Sequence, residues 1–337
     1  MTTPTPQLPP VDARPRPAVP YRGRTTLLTL LLPLAIAAAT VALPWSWRDE
    51  LPDPVATHWG THGVDGFGSY EPQVIVTAAI IAVAAIALWA VGFFAGRQAI
   101  IRRTVVGISL WFAGLLSIVV VGGLDIQRGL ADAHDTGSLN GILLLSFGVA
   151  TVLALGGAFL VPGDPAQPSS DPVPPTAARL PLGAGEAASW VQRVSTRGYI
   201  ALAVGVTAFT VFIGVLTRAW IFGTVFGLVL GAAIASFMRW TVVVDRDGLT
   251  VRPGIGRPRI RIPLDEVESA SVIDVRPIAE FGGYGVRGGK GGRVGVVVRK
   301  GEALQVDRTG GRVFLVTVDD AATGAALLNT LAARTRG

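Results

Sequence analysis

Two histidines and an aspartate lie close together in this chain, as His58, His62 and Asp65 in the pattern H-x-x-x-H-x-x-D. Two imidazoles and a carboxylate are a donor set that could hold zinc, and zinc so held would support a metal-dependent hydrolase. The local sequence argues against a metal site. Trp59 stands where a zinc-protease helix carries its general-base glutamate, and Gly60 and Gly63 oppose the helix that would stack the two imidazoles. These histidines read better as structural or ligand-facing loop residues, so no metal and no catalytic residue is assigned. The remaining histidine, His134, falls in another acidic loop from which it could join them.

A second candidate is Gly283-Tyr284-Gly285-Val286-Arg287-Gly288, which fits G-x-G-x-x-G. Dinucleotide binding needs a strand before and a helix after such a turn. Here more glycine and then a β-branched run follow, so an interstrand loop is expected. Gly289-Lys290 lacks the first glycine and the Ser/Thr of a phosphate-binding P-loop. With no cysteine in the chain, thiolate nucleophiles, thiolate metal sites and disulfides are excluded. No nucleophile stands beside a base, so neither an enzyme nor a cofactor is expected.

The elements that must position these residues are membrane helices. Half of the 337 residues are hydrophobic, only 15% are charged, and the mean hydropathy is +0.52. Soluble chains carry about 25% charged residues. A span needs about 20 apolar residues, and suitable runs occupy Thr25–Leu43, Val74–Gly96, Thr104–Leu124, Leu139–Val161, Tyr199–Thr217 and Trp220–Met238. Arg218 separates the last two, which predicts a tight hairpin. Arginines flank alternate connections: Arg22 and Arg24 before the first span, Arg97, Arg102 and Arg103 after the second, Arg239 after the sixth. The other connections carry Asp49, Glu50, Asp65, Asp125 and Asp132. The positive-inside rule then places both termini in the cytoplasm of a multi-pass plasma-membrane protein. Trp45, Trp47, Trp220 and Trp240 fall at span ends, where aromatic rings settle among headgroups. No Asp, Glu, Lys or His lies within a predicted span, which argues against a pump or transporter, although Ser109, Ser117 and Asn140 could line a small path.

The predicted fold class is therefore membrane α-helical, with six transmembrane helices, joined to a cytoplasmic α+β small barrel or sandwich. Residues 1–24 read as a disordered cytoplasmic tail, and 25–161 as a four-helix membrane domain carrying an outer loop at 44–73. Residues 162–185 form a Pro-rich linker. Residues 186–238 combine an amphipathic helix, with Trp190, Val191 and Val194 toward the membrane, and the transmembrane hairpin. From 239 to 337 the period shifts to short strands, at Thr241–Val244, Leu249–Arg252, Arg259–Ile262, Val294–Arg299, Ala303–Asp307 and Val313–Val318, closed by a helix over Asp319–Arg334. Gly223, Gly227 and Gly231 form a ridge for close helix packing, either within the chain or across a homo-oligomer seam. Arg252, Arg257, Arg259 and Arg261 would give a basic face toward anionic membrane lipids. No recognition helix accompanies them, so nucleic acid is not an expected partner.

Leu51–Tyr70 reads LPDPVATHWGTHGVDGFGSY. In Leu51, Pro52, Val55, His58, Trp59, Gly63, Asp65 and Gly66 it resembles the DUF1648 motif, which follows a first transmembrane helix. The best-known members are immunity proteins against the sporulation-delay toxin. That resemblance implies an outer loop that contacts a peptide or envelope component, with immunity or signalling as the role. Ile262–Val267, the glycine-rich Phe281–Gly285, Gly301–Leu304 and Val313–Asp319 resemble a bacterial pleckstrin-homology-like domain, together with the approach from Gly185 and Glu186 to Trp190. Such a domain implies binding of lipid or of a cytoplasmic protein partner, without catalysis.

Overall fold

The computed structural model describes residues 18–60, 63–183, 185–196, 198–257, 259–289 and 292–336. Most of the expected N-terminal tail, His62, Arg197 and Lys290 lie outside the described residues. Among the described residues, six helices are long and apolar enough to cross a membrane: α1 (Arg22–Ser46), α2 (Tyr70–Ala95), α3 (Ala99–Asp125), α4 (Asn140–Leu160), α5 (Tyr199–Leu216) and α6 (Trp220–Phe237). This suits a multi-pass membrane protein. The expected tail was carried to residue 24, yet Arg22 and Arg24 already belong to α1. The chain divides into a helical unit, Val19–Asp164 with Thr207–Leu228, and a sheet unit that includes Pro165–Val206 and Val229–Gly337.

In the helical unit apolar side chains pack between α1, α2 and α3, with Ala37, Ile81 and Ala113 in one cluster and Leu28, Val106 and Leu110 in another. Polar groups inside the helices close hydrogen bonds between them. Pro33 has no N–H, which leaves the Thr29 carbonyl without its α-helical donor. The Ser109 hydroxyl donates to that carbonyl at 2.9 Å. Ser117 meets Thr40 at 2.8 Å. These two serines therefore join helices instead of lining a path. At one end the buried Arg102 donates to the carbonyls of Gly96, Arg97, Pro162 and Gly163, gathering carbonyls that follow α2 and α4. A cation suits such carbonyl-rich helix ends. The turn between α5 and α6 is tight, with Arg218 at φ 56°. Gly223 packs so closely that an added Cβ would lie 2.7 Å from the Cα of Gly214, and at Gly227 it would run into Thr210. Gly231 is buried as well. Gly223 and Gly227 thus pack within the chain.

The sheet unit holds two sheets. One has the order β3 (Trp190–Ser195), β4 (Arg239–Asp245), β5 (Gly248–Pro253), β6 (Ile260–Ile262), all antiparallel. The other has the order β7 (Val267–Val275), β10 (Gly301–Arg308), β11 (Arg312–Thr317), β9 (Val294–Val297), β8 (Gly285–Gly288). Only the β11–β9 pair is parallel. A short helix α7 (Pro277–Phe281) leads toward β8, and α8 (Ala321–Arg336) packs on strands of both sheets. The expected amphipathic helix at 186–196 is instead the strand β3. Its alternating Trp190 and Val194 are buried while Val191 and Arg193 are exposed, and its partner β4 lies beyond both α5 and α6. The helical hairpin is thus inserted between two paired strands. Trp240 is fully buried in this sheet instead of standing among headgroups. The G-x-G-x-x-G segment contributes the edge strand β8, where an interstrand loop was expected.

The Pro-rich stretch is laid along the sheet unit instead of spanning free space. The Gln167 N–H donates to Glu266, the Ser169 N–H to the Asp265 carbonyl, and the Leu180 N–H to Thr330. Proline removes N–H donors and leaves carbonyls. The carbonyls of Leu182 and Gly183 accept from Arg334, and that of Asp171 from Arg336. At the centre of this attachment Glu266 is buried between Arg308 and Arg312, with oxygen–nitrogen distances of 2.5 and 3.1 Å. Burial alone would raise its carboxyl. The hydrogen bonds from Arg308 and from the Gln167 N–H, with the two positive charges, hold it below the usual carboxylate range.

Candidate functional site

After α1 the chain forms a hairpin, β1 (Val55–Gly60) with β2 (Gly63–Gly68). Its foot is apolar: Val55 packs with Val74 of α2 and Leu124 of α3, and Pro52 is buried nearby. A two-stranded ribbon is marginal by itself, and here a buried carboxamide anchors it. Gln127 accepts the Ala56 N–H at 2.6 Å and donates to the Ala56 carbonyl at 3.1 Å and to the Gly123 carbonyl at 2.7 Å.

The motif residues have distinct physical tasks. Gly63 begins β2 opposite Gly60 at φ 117°, a conformation that L side chains rarely adopt. Gly66 pairs with His58, and an added Cβ there would fall 2.7 Å from the His58 Cβ. That space lets the exposed His58 Nδ1 meet Asp65 Oδ1 at 2.5 Å. Trp59 points its Nε1–H to the Gly137 carbonyl at 3.0 Å, tying the hairpin to the α3–α4 connection.

That connection brings the third histidine, His134, with Asp132, and also Arg128, which sequence reading did not assign. The His134 ring lies 4.2 Å from the Phe67 ring, centroid to centroid, and its Nδ1 meets Asp132 at 2.7 Å. Asp132 is held below the usual carboxylate range, first by the His134 N–H and then by the His134 ring. Arg128 pairs with Glu50 and Asp125 and lies over the Trp47 ring at 4.3 Å. Hydrogen bonds to Glu50 and then Asp125 raise its guanidinium further. Arg128 stands in a connection that otherwise reads as acidic, which concealed it.

The third histidine thus reaches the hairpin, but beside Phe67 and Asp132. Among the described residues no three His, Cys, Asp or Glu side chains converge as metal ligands, and His62 lies outside them. What the geometry does form is a cleft of about 900 Å³. His58 and Trp59 line it from β1, Gln73 from α2, Asn140 and Leu143 from α4, and Arg218 from the α5–α6 turn. The Gln73 side-chain Oε1 is buried without a partner. The cleft therefore offers an imidazole, an indole, an unpaired acceptor and a guanidinium above apolar walls, which is equipment for binding.

The basic set on the sheet unit is only partly brought together. Arg252 and Arg261 lie on the exposed face of the four-stranded sheet, with Arg261 3.4 Å from Asp247. Arg257 and Arg259 precede β6 and sit in its approach, because the strand begins only at Ile260. Register adds to the exposed face Arg193, which stands opposite Thr241, itself opposite Arg252, and it places Arg239 opposite Ser195.

Fold and site together define a protein with six span-length apolar helices, a hairpin-centred cleft and a sheet-rich region closed by a C-terminal helix. No known family model, curated protein or solved structure matches this chain.

Proposed function

We propose that this chain is a plasma-membrane binding protein of the DUF1648 kind, with both termini cytoplasmic. It contacts a peptide or envelope component through the hairpin cleft, and it relays or scaffolds that contact through a pleckstrin-homology-like sheet unit. The observation that carries the reading is the convergence of three connections. Those following α1, α3 and α5 meet around one cleft, and the resembling motif supplies His58 and Trp59 to its wall. If all six helices span, these connections share one side of the membrane. The arginine-rich ends gathered by Arg102 face the other side, in the sense the positive-inside rule requires. Immunity to a secreted peptide is the form of this function that the motif favours. No acid, base or nucleophile is assigned, so binding without catalysis is proposed.

The test is His58→Ala with Asp65→Ala in the full-length protein. Expression and insertion are expected to persist, because both side chains are exposed, while the phenotype restored to a deletion strain is lost. Retained function would sink the reading. Stoichiometric zinc in the purified protein that disappears with His58 and His62 replaced would turn it toward a metal-dependent hydrolase. A cytoplasm-only fluorescent reporter fused after Gly337 is expected to shine; a dark fusion of normal abundance would overturn the topology.

A further inference from the structure

The sheet unit contains a second cleft, of about 680 Å³, at the point where β3 gives way to α5. Its walls come from Arg193, Ser195 and Thr196 on one side, and from Tyr284, Arg299, Lys300 and the carboxylate of Asp319 on the other. The Thr196 hydroxyl donates to the Val298 carbonyl at 2.8 Å and joins the two walls. Arg299 is committed to Asp319 at 2.7 Å and to the Val318 carbonyl, yet its Nε is buried without a partner. Arg193 and Lys300 are exposed and form no ion pair among the described residues. The cleft thus presents two uncompensated cations, a guanidinium with a spare donor and hydroxyls from Ser195 and Tyr284. The one carboxylate in its lining, Asp319, is engaged by Arg299, so cationic donors are in excess, which suits a phosphate.

Its place in the chain selects the source of that phosphate. Thr196 precedes the apolar helix α5 by only three residues, and its carbonyl accepts the Tyr199 N–H at 3.2 Å. The partner strand β4 begins two residues after α6 ends. If α5 and α6 cross a bilayer, the cleft is tethered within a few residues of the headgroup layer. Arg193 belongs both to this cleft and to the exposed sheet face that carries Arg239 and Arg252.

We propose that this cleft binds the phosphate of an anionic lipid headgroup, with Arg193 and Lys300 as the principal contacts and Arg299 as the inner donor. The proposal is independent of what the hairpin binds. The probe is a short-chain phosphatidic acid, compared with phosphatidylcholine, titrated into the full-length protein in mild detergent and read by native mass spectrometry.

Phosphatidic acid is expected to bind and phosphatidylcholine to bind much more weakly. Arg193→Gln with Lys300→Gln is expected to weaken phosphatidic acid about thirty-fold, the worth of two cations near an anionic surface. Arg193→Lys with Lys300→Arg should restore binding, which separates lost charge from lost fold. Equal binding of the two lipids, or unchanged binding in the Gln variant, would overturn the proposal. So would loss of binding confined to Arg252→Gln with Arg261→Gln, because the open sheet face would then be the site. Inorganic phosphate that binds as tightly as the lipid would also overturn it, by making the ligand a soluble phosphate.

Discussion

The hairpin of the helical unit and the edge of the larger sheet solve one problem with one device. In the first, the buried Gln127 takes the N–H and carbonyl of Ala56 in β1. In the second, the buried Asn329 of α8 takes the N–H of Ala270 in β7 at 2.7 Å and its carbonyl at 2.9 Å. Each carboxamide stands in for a neighbouring strand and satisfies groups that would be costly to bury unpaired. Each also makes a third bond, to Gly123 in one unit and to Ala178 in the other. What surrounds the device differs. At β7 the helix and the Pro-rich stretch cover the edge, and the nearby charges of Glu266, Arg308 and Arg312 are buried in mutual contact. At β1 only the foot is covered, and His58 and Asp65 remain exposed. The charges at the sheet edge are buried within the fold, whereas the His58–Asp65 pair on the hairpin is exposed.

The largest effect expected from breaking this contrast is at Glu266. Glu266→Ala leaves two buried guanidinium groups without their carboxylate, a loss of about 3–5 kcal/mol for a buried pair. Thermal unfolding of the sheet unit, followed by circular dichroism, should shift accordingly. Acid gives the same result in the wild type. The folded carboxyl lies below its unfolded value, so its contribution is complete above the unfolded value and is lost as pH falls through the folded one. An acid transition unaltered by Glu266→Gln would refute this assignment.

Next come the two carboxamides. Gln127→Ala and Asn329→Ala each orphan a buried N–H and carbonyl, at about 1–3 kcal/mol per group. Hydrogen exchange should separate them, with the first variant exposing β1 alone and the second exposing β7. Faster exchange in both places from either variant would dissolve the comparison. Gly66→Ala is expected to cost about 1–3 kcal/mol through overpacking against His58, read as faster proteolysis within Val55–Gly68. The smallest effect belongs to Arg128→Gln, whose exposed partners leave the melting temperature unchanged. Quenching of Trp47 fluorescence by added iodide should nevertheless increase once the guanidinium leaves its ring.

Much of this fold is legible in the chain because its signals are local. Apolar runs of span length can satisfy their backbones only as helices in lipid, and all six were readable, as was the turn at Arg218. The β4–β5 connection is Asp245-Arg246-Asp247-Gly248, a composition that by itself favours a hairpin turn, and the closing helix lies where the apolar period places it. The glycines of the hairpin motif were visible as letters, though not as the space that His58 needs.

Tertiary structure alone decided the rest. Whether Trp190–Ser195 is a strand depends on β4, which the sequence places beyond two apolar helices, and no local period reports a partner so distant. The same pairing sets Arg193 beside Thr241 and Arg252, and so determines which arginines share a face. The cleft of His58, Trp59, Gln73 and Arg218 draws on segments scattered through the helical unit, and packing alone could assemble it. Sequence fixes what a segment can bury; which surfaces then meet depends on the whole chain, because burial is cooperative and its partners are remote.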